Sequence, residues 1–213
     1  MTARKPRVLV VVASKHGATA EIGTALARDL ADSDVGRAAG LEAICLPVEQ
    51  RPDPAPYDAV VLGSAVYVGR WLEPARQYAA AHAAALRGRP VWLFSSGPIG
   101  EPPFPADEPH DLTAIIPLTG ACGHRIFPGR LEKERLSFGE RAMVTAMRAP
   151  VGDFRDWDAV RAWGDEIAAD VVRLATATGA LGSPQTASTG GTQNVRSTSS
   201  TGRRPLTVPG VAG

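Results

Sequence analysis

The chain has 213 residues, of which 44% are hydrophobic and 21% charged, with a formal net charge of +1. That length holds one ordinary domain plus a tail, and the composition excludes a fibrous or wholly disordered chain. Near-neutral charge gives no reason to expect nucleic acid as a partner, and Cys45 and Cys122, far apart with no CxxC pair, suit reduced buried thiols rather than a disulfide framework.

After Met1–Arg7 the first apolar run spans only Val8 to Ala13. That is too short for a signal core or a membrane span, and no other stretch approaches the roughly 18 apolar residues a span requires. The expectation is a cytoplasmic protein with at most peripheral membrane contact.

Val8–Ala13 is a continuous, largely β-branched run, as in a central parallel strand buried on both faces. It breaks at Ser14-Lys15-His16-Gly17, and Ile22, Leu26 and Leu30 then line one face of a helix beginning at Ala18. Leu41–Val48 reads as a second strand, followed by a proline-rich connection from Pro47 to Pro56. Ala59–Leu62 is a third strand that stops at Gly63-Ser64. An alanine-rich helix is predicted from Leu72 to Leu86, closing at Gly88, and Val91–Phe94 is a fourth strand that stops at Ser95-Ser96-Gly97-Pro98.

Glu101–Pro109 reads as an irregular loop, and a helical or irregular stretch leads on to Cys122. A fifth strand is expected at His124–Leu131, a helix at Leu136–Met147 and a loop at Val151–Arg155. A strong helix follows at Trp157–Leu174, with Val160, Trp163, Ile167, Val171 and Leu174 on one side. From Thr176 the composition turns to Ser, Thr, Gly and Pro, which cannot offset its ordering entropy by burial. The expected organisation is an N-terminal extension (1–6), an α/β domain (7–175) and a disordered tail (176–213).

Strands alternating with helices argue a parallel sheet covered on both faces. Five strands in this length fit the flavodoxin-like doubly wound order 2-1-3-4-5, in which ligands bind beyond the carboxyl ends of the strands at the switch point. The loops after Ala13, Leu62 and Phe94 should therefore meet in space.

The first loop, Ser14-Lys15-His16-Gly17-Ala18-Thr19, follows a strand and opens a helix. Its hydroxyls, backbone N–H groups and helix dipole suit an anion such as phosphate, although Ser14 and Thr19 also suit simple helix capping. It is neither a Walker A nor a GxGxxG loop.

Ser14–Ile22 resembles the S/T-x-x-G-x-T pattern with which flavodoxin-like proteins hold the phosphate of FMN. Tyr57–Trp71 resembles the second FMN loop of that family. The resemblance implies FMN as cofactor, with Ser64, Ala65, Val66, Tyr67, Val68, Gly69 and Trp71 along the isoalloxazine ring. Tyr67 or Trp71 would cover a ring face, the alternative for Trp71 being a core anchor for the helix behind it. Ser95, Ser96, Gly97 and Pro98 would face the polar edge of the ring.

Gly152-Asp153-Phe154-Arg155-Asp156-Trp157 and the final helix resemble the C-terminal end of the menaquinone-dependent protoporphyrinogen dehydrogenase family, and with the phosphate loop they carry the likeness over residues 7–174. What that implies is an FMN oxidoreductase with a small-molecule substrate, protoporphyrinogen IX in that family, and a quinone or redox-protein acceptor. The chain departs from the pattern at the acidic, proline-rich Glu101–His110 and at Tyr67, where an arginine is expected. An electron-carrier flavodoxin without its own substrate is the alternative, though such carriers are strongly acidic.

No catalytic side chain is singled out. His16, His82, His110 and His124 show no metal-ligand spacing, so no metal is expected. GxSxG is absent, so no serine triad is placed. Asp153, Asp156 and Asp158 suit capping of the last helix. Leu136, Met143, Val144 and Met147 line one side of a short helix, a stripe that suits core packing better than a membrane or quinone.

Overall fold

In a computed structural model, residues 4–97, 99, 108–146 and 149–181 are described. β1 (Arg7–Ala13) is an interior strand of the sheet. Its Val8, Val10 and Val12 enter one apolar layer and its Leu9, Val11 and Ala13 the other, so both faces of the strand are covered. A continuous β-branched run has this outcome because alternate residues point to opposite sides of a sheet.

α1 (Ala18–Asp32) and the short α2 (Asp34–Ala39) follow, the latter capped by Ser33 Oγ, which accepts from Gly36 N at 3.0 Å. β2 (Glu42–Pro47) pairs parallel with β1, as does β3 (Ala59–Tyr67) on the other side. A hairpin then folds β4 (Arg70–Trp71) back onto the end of β3. The expected helix over 72–86 is broken into α3 (Glu73–Ala81) and α4 (Ala83–Arg87) at His82, whose ring packs against Tyr78 at 4.5 Å. Alanine propensity favours helix but does not by itself keep the segment one continuous helix.

β5 (Val91–Ser96), α5 (Leu112–Thr119) and β6 (Gly123–Phe127) complete the sheet in the order β2-β1-β3-β5-β6, all parallel. With the β4 hairpin set aside, this is the order expected from the sequence. The fifth strand ends sooner than expected, at Phe127. Pro128 has no N–H for the ladder, and β7 (Arg130–Leu131) pairs antiparallel with β8 (Gly152–Asp153) in a separate ribbon. The expected loop at 151–155 thus contains a strand. Between them α6 (Phe138–Ala146) opens on a capping box: Ser137 N donates to Glu140 Oε2 at 2.9 Å and Glu140 N donates to Ser137 Oγ at 3.4 Å.

α7 (Trp157–Leu181) runs past the expected boundary at 175, so Thr176 and Ala177 are helical rather than part of a tail. Residues 182–213, Pro98, Met147 and the expected loop at 101–107 lie outside the described residues.

Two apolar layers sandwich the sheet. On one side α1 and α7 bring Ile22, Leu26, Leu30, Trp163 and Ile167 against Phe94 and Phe127, and the rings of Phe127 and Trp163 meet edge-on at 5.5 Å. On the other side Trp71, Ala75, Tyr78, Leu86, Leu112 and Ile115 cover the opposite face. Among the described residues no helix is long and apolar enough to cross a membrane. Of the expected apolar stripe, Leu136, which precedes α6, is buried and Val144 is half-buried.

Candidate functional site

The three loops expected to meet do meet, in one cleft at the carboxyl edge of the sheet. The first is set by its backbone. Gly17 precedes α1 with φ +89°, a left-handed conformation that glycine adopts without a Cβ penalty. Its N–H donates to Ser14 Oγ at 3.1 Å, and its carbonyl accepts from Glu21 N at 2.9 Å. Ser14 therefore closes the loop rather than serving as a plain N-cap. Ser14, Lys15, His16, Ala18 and the buried Thr19 line the cleft.

Tyr67 joins the second loop to the first. Lys15 Nζ lies 5.0 Å from the centre of its ring, and the His16 ring centre is 6.3 Å away. Burial, with Glu140 nearby, pushes the Tyr67 hydroxyl up to about 12, so it stays protonated at neutral pH. Ala65 and Val66 line the same wall. The third loop approaches the second backbone to backbone. A Cβ at Gly97 would lie 3.1 Å from Val66 Cβ and 3.2 Å from its carbonyl, so only glycine fits there without displacing the second loop. Ser96 and Gly97 line the cleft.

Other expected site residues are not among those lining the cleft. Ser64 is buried, its hydroxyl donating to Ala65 O and accepting from Leu72 N at 3.0 Å, which closes the base of the hairpin. Trp71 is buried in the core, as the alternative reading had it, and its indole donates to Ser95 Oγ at 2.7 Å. Ser95 in turn lies 2.8 Å from His124 Nε2, a serine–histidine pair that the sequence did not disclose. Gly69 O accepts from His110 N at 3.0 Å. Val68, at the hairpin tip, is outside the cleft lining and 91% exposed.

The outer wall is one that no local sequence signal located. Gly129, Arg130, Leu131, Glu132, Arg135 and Leu136 line it. The arm they form is laced to the first loop by charge. Arg135 Nη1 donates to His16 O at 3.1 Å, and Glu140 Oε1 lies 2.7 Å from Lys15 Nζ and 3.1 Å from His16 Nε2. The Lys15 ammonium and the Ser137 contacts hold the Glu140 carboxyl far below the usual carboxylate range. Further out, Arg155 bridges Asp153 at 2.6 Å and Glu21 at 2.7 Å, Arg130 pairs with Glu21 at 2.8 Å, and Glu132 pairs with Arg135 at 2.6 Å. Hydrogen bonding from Arg155 keeps both Glu21 and Asp153 below their ordinary values. The Arg135–His16 contact spans 119 positions, so no local pattern announces where this arm packs.

Among the described residues no group of three or more His, Cys, Asp or Glu is arranged to hold a metal ion.

A family model described as "Flavodoxin domain" matches residues 9–158. No curated protein matches the chain in sequence. Among solved structures, a flavodoxin from the domain Archaea superposes with a TM-score of 0.52 at 13% identity, covering 78% of this chain and 98% of that one. Flavodoxin 1 from Bacillus cereus gives 0.50 at 15% identity, covering 78% and 97%. The Flv1 flavodiiron core from Synechocystis sp. PCC6803 gives 0.53 at 14% identity, covering 83% of this chain but only 37% of that one. At such identities the likeness is one of fold.

Proposed function

The chain belongs to the flavodoxin domain family, and on that premise we propose that the cleft holds FMN and that the protein is an FMN-dependent oxidoreductase. The observation that carries this reading is the meeting of three strand-end loops in one cleft beside a phosphate-type turn at Gly17. The residues fit the cofactor. Backbone N–H groups of the 15–19 loop other than that of Gly17, which donates to Ser14, would hold the phosphate at the positive end of α1, with Lys15 and Thr19 beside them. Tyr67 offers an aromatic face to the ring system. Ser96 and Gly97 supply a hydroxyl and close backbone approach at the ring's polar edge. FMN supplies one- and two-electron redox chemistry, while the protein binds it, orients it and tunes its potential.

On the finer question of substrate, we infer an organic, anionic donor, with protoporphyrinogen IX as the candidate and a quinone or redox protein as acceptor. Support comes from the likeness of Gly152–Trp157 and from Arg130 and Arg135 in the outer wall. The carrier reading, with no substrate of its own, is disfavoured by the net charge of +1.

The test is to purify the full chain and record its visible absorbance with and without added FMN. A flavin spectrum that is lost in Gly17→Asp, with the fold intact by circular dichroism, is the expected result. A colourless protein that takes up no FMN refutes the reading. Turnover of protoporphyrinogen IX with a menaquinone acceptor then separates the enzyme from a carrier.

A further inference from the structure

Behind the cleft's inner wall, Trp71, Ser95 and His124 form a buried line of hydrogen bonds whose direction is set by the indole at one end and by Glu108 at the other. An indole N–H can only donate, so Ser95 Oγ accepts from Trp71 Nε1 at 2.7 Å. The hydroxyl has a single proton of its own, and 2.8 Å away stands His124 Nε2. On the other side of the ring, Nδ1 faces Glu108 Oε1, an acceptor, at 3.6 Å, which assigns the imidazole proton to Nδ1 and leaves Nε2 the bare nitrogen that accepts from Ser95. Ser95 is 1% exposed, and the His124 side chain 6%. Although serine, histidine and glutamate stand in the order of a hydrolytic triad, Ser95 is not among the residues lining the cleft, and its oxygen is engaged by the indole. The cluster is therefore built to hold something rather than to attack a substrate.

What it holds is Trp71, the residue on which the second loop closes. Trp71 pairs with Val66 across the β3–β4 hairpin, and its backbone N–H donates to Asp111 at 2.9 Å. We propose that His124 is a positioning residue for the cofactor cleft: by accepting the Ser95 proton it fixes the Trp71 indole, and through Trp71 it sets the Ala65–Tyr67 wall. The link to a cofactor rests on the FMN reading above; the link to Trp71 does not.

A positive charge on His124 would reverse the line. Nε2 would become a donor facing Ser95, and the Ser95 proton would lose its acceptor. Each element packed here contributes a definite group. Glu108, ahead of α5, is the charged group against the ring, and Ser95 comes from β5. On β6 itself Arg125 is turned to Glu166 at 3.3 Å. Around Trp71, Asp111 is flanked by Arg70 and Arg76. Burial draws the His124 pKa below its usual value, outweighing the opposite pull of Glu108, so the neutral ring that the relay needs prevails at neutral pH.

The test follows the Trp71 indole N–H by heteronuclear NMR, assigned by its disappearance in Trp71→Phe. The indole resonance should shift in His124→Phe, which removes the acceptor, and return toward its wild-type position in His124→Gln, whose amide oxygen can accept. Wild type should also show the resonance moving with pH in step with the His124 ring, with no such movement in His124→Gln. FMN dissociation constants should rise about tenfold in His124→Phe and recover most of that loss in His124→Gln. Should His124→Phe not fold, Ser95→Ala cuts the same line at the hydroxyl and is read in the same way. An indole resonance unmoved by these substitutions overturns the proposal. If wild type binds no FMN, the function reading fails, and the indole resonance, which needs no flavin, still decides the relay.

Discussion

The inner and outer walls of the cleft are held by different physics. The inner wall hangs on buried, neutral hydrogen bonds, from the Trp71 indole to Ser95 and from Leu72 N to Ser64, behind which lies a continuous apolar layer. The outer wall is an arm of short elements, tied to the first loop and to α1 by ion pairs whose carboxylates are partly exposed. Buried packing is worth kilocalories per residue and is indifferent to salt. Exposed ion pairs contribute about 0–1 kcal/mol each and weaken as ionic strength rises. The inner wall should therefore be rigid and the outer wall the adjustable one, so that a ligand meets a preformed face on one side and a tunable one on the other.

The sharpest way to break the inner wall is Trp71→Ala. Removing a fully buried tryptophan should cost about 3–5 kcal/mol in unfolding free energy. The cost should be nearly the same at low and high salt, as read by chemical denaturation. A loss below about 1 kcal/mol would mean that the wall does not rest on this residue.

The sequence discloses the same division. The inner wall follows from patterns within short windows: the Val8–Ala13 run, the Gly17 turn and the small residues Gly63-Ser64 and Ser95-Ser96 mark the segments that the strand order brings together. β3 and β5 nonetheless run on through those small residues to Tyr67 and Ser96 rather than stopping at Leu62 and Phe94. Trp71 carried two readings, ring cover or core anchor, because an aromatic next to a loop looks the same in either role until its packing is known. The outer wall stayed hidden because its contacts join residues more than a hundred positions apart through charge, which leaves no periodicity to read. Likewise the sequence pattern carried the fifth strand on through Pro128 to Leu131, and gave no sign that Arg130–Leu131 returns to pair with Gly152–Asp153.

In the outer wall the largest effect belongs to Arg155, whose side chain is only 4% exposed and lies over Trp157 at 4.5 Å. Arg155→Met keeps much of the packing and deletes the charge. Breaking a fully buried pair costs about 3–5 kcal/mol, but Glu21 and Asp153 can hydrate here, so a loss of about 1–2 kcal/mol is expected. The variant should also alter the acid limb. In wild type the Glu21 and Asp153 pKa values are depressed, so their contribution is fully present above the ordinary carboxylate range and is lost as pH falls through the folded values. Melting curves from pH 7 downward should show that loss in wild type and a flatter profile in Arg155→Met. An unchanged profile would place the acid sensitivity elsewhere.

A change in the opposite direction is expected at the hairpin tip of the inner wall. Val68 has φ +50°, a left-handed conformation that a β-branched residue adopts at a cost, and its exposed side chain gains little by burial in return. Val68→Asn replaces it with a residue that tolerates this region and should stabilise the protein by about 1 kcal/mol, visible as a raised melting temperature. No gain would mean that Val68 has a packing role offsetting its strain.

The smallest equilibrium effect should come from Glu140, which nonetheless separates the two walls most cleanly. One of its oxygens caps α6 at Ser137, and the other meets Lys15 and His16. Glu140→Gln retains an oxygen for the cap and loses the charge, so global stability should change by less than about 0.5 kcal/mol at moderate salt. Locally the effect should be larger. Amide hydrogen exchange in α6 should accelerate in the variant while β1, β3 and β5 keep their protection, because opening the arm does not require opening the sheet. High salt applied to wild type should reproduce that pattern, since screening weakens the same contact. If α6 instead exchanges only with the sheet, in wild type and variant alike, the arm belongs to the core's cooperative unit, and the distinction between a rigid and an adjustable wall fails.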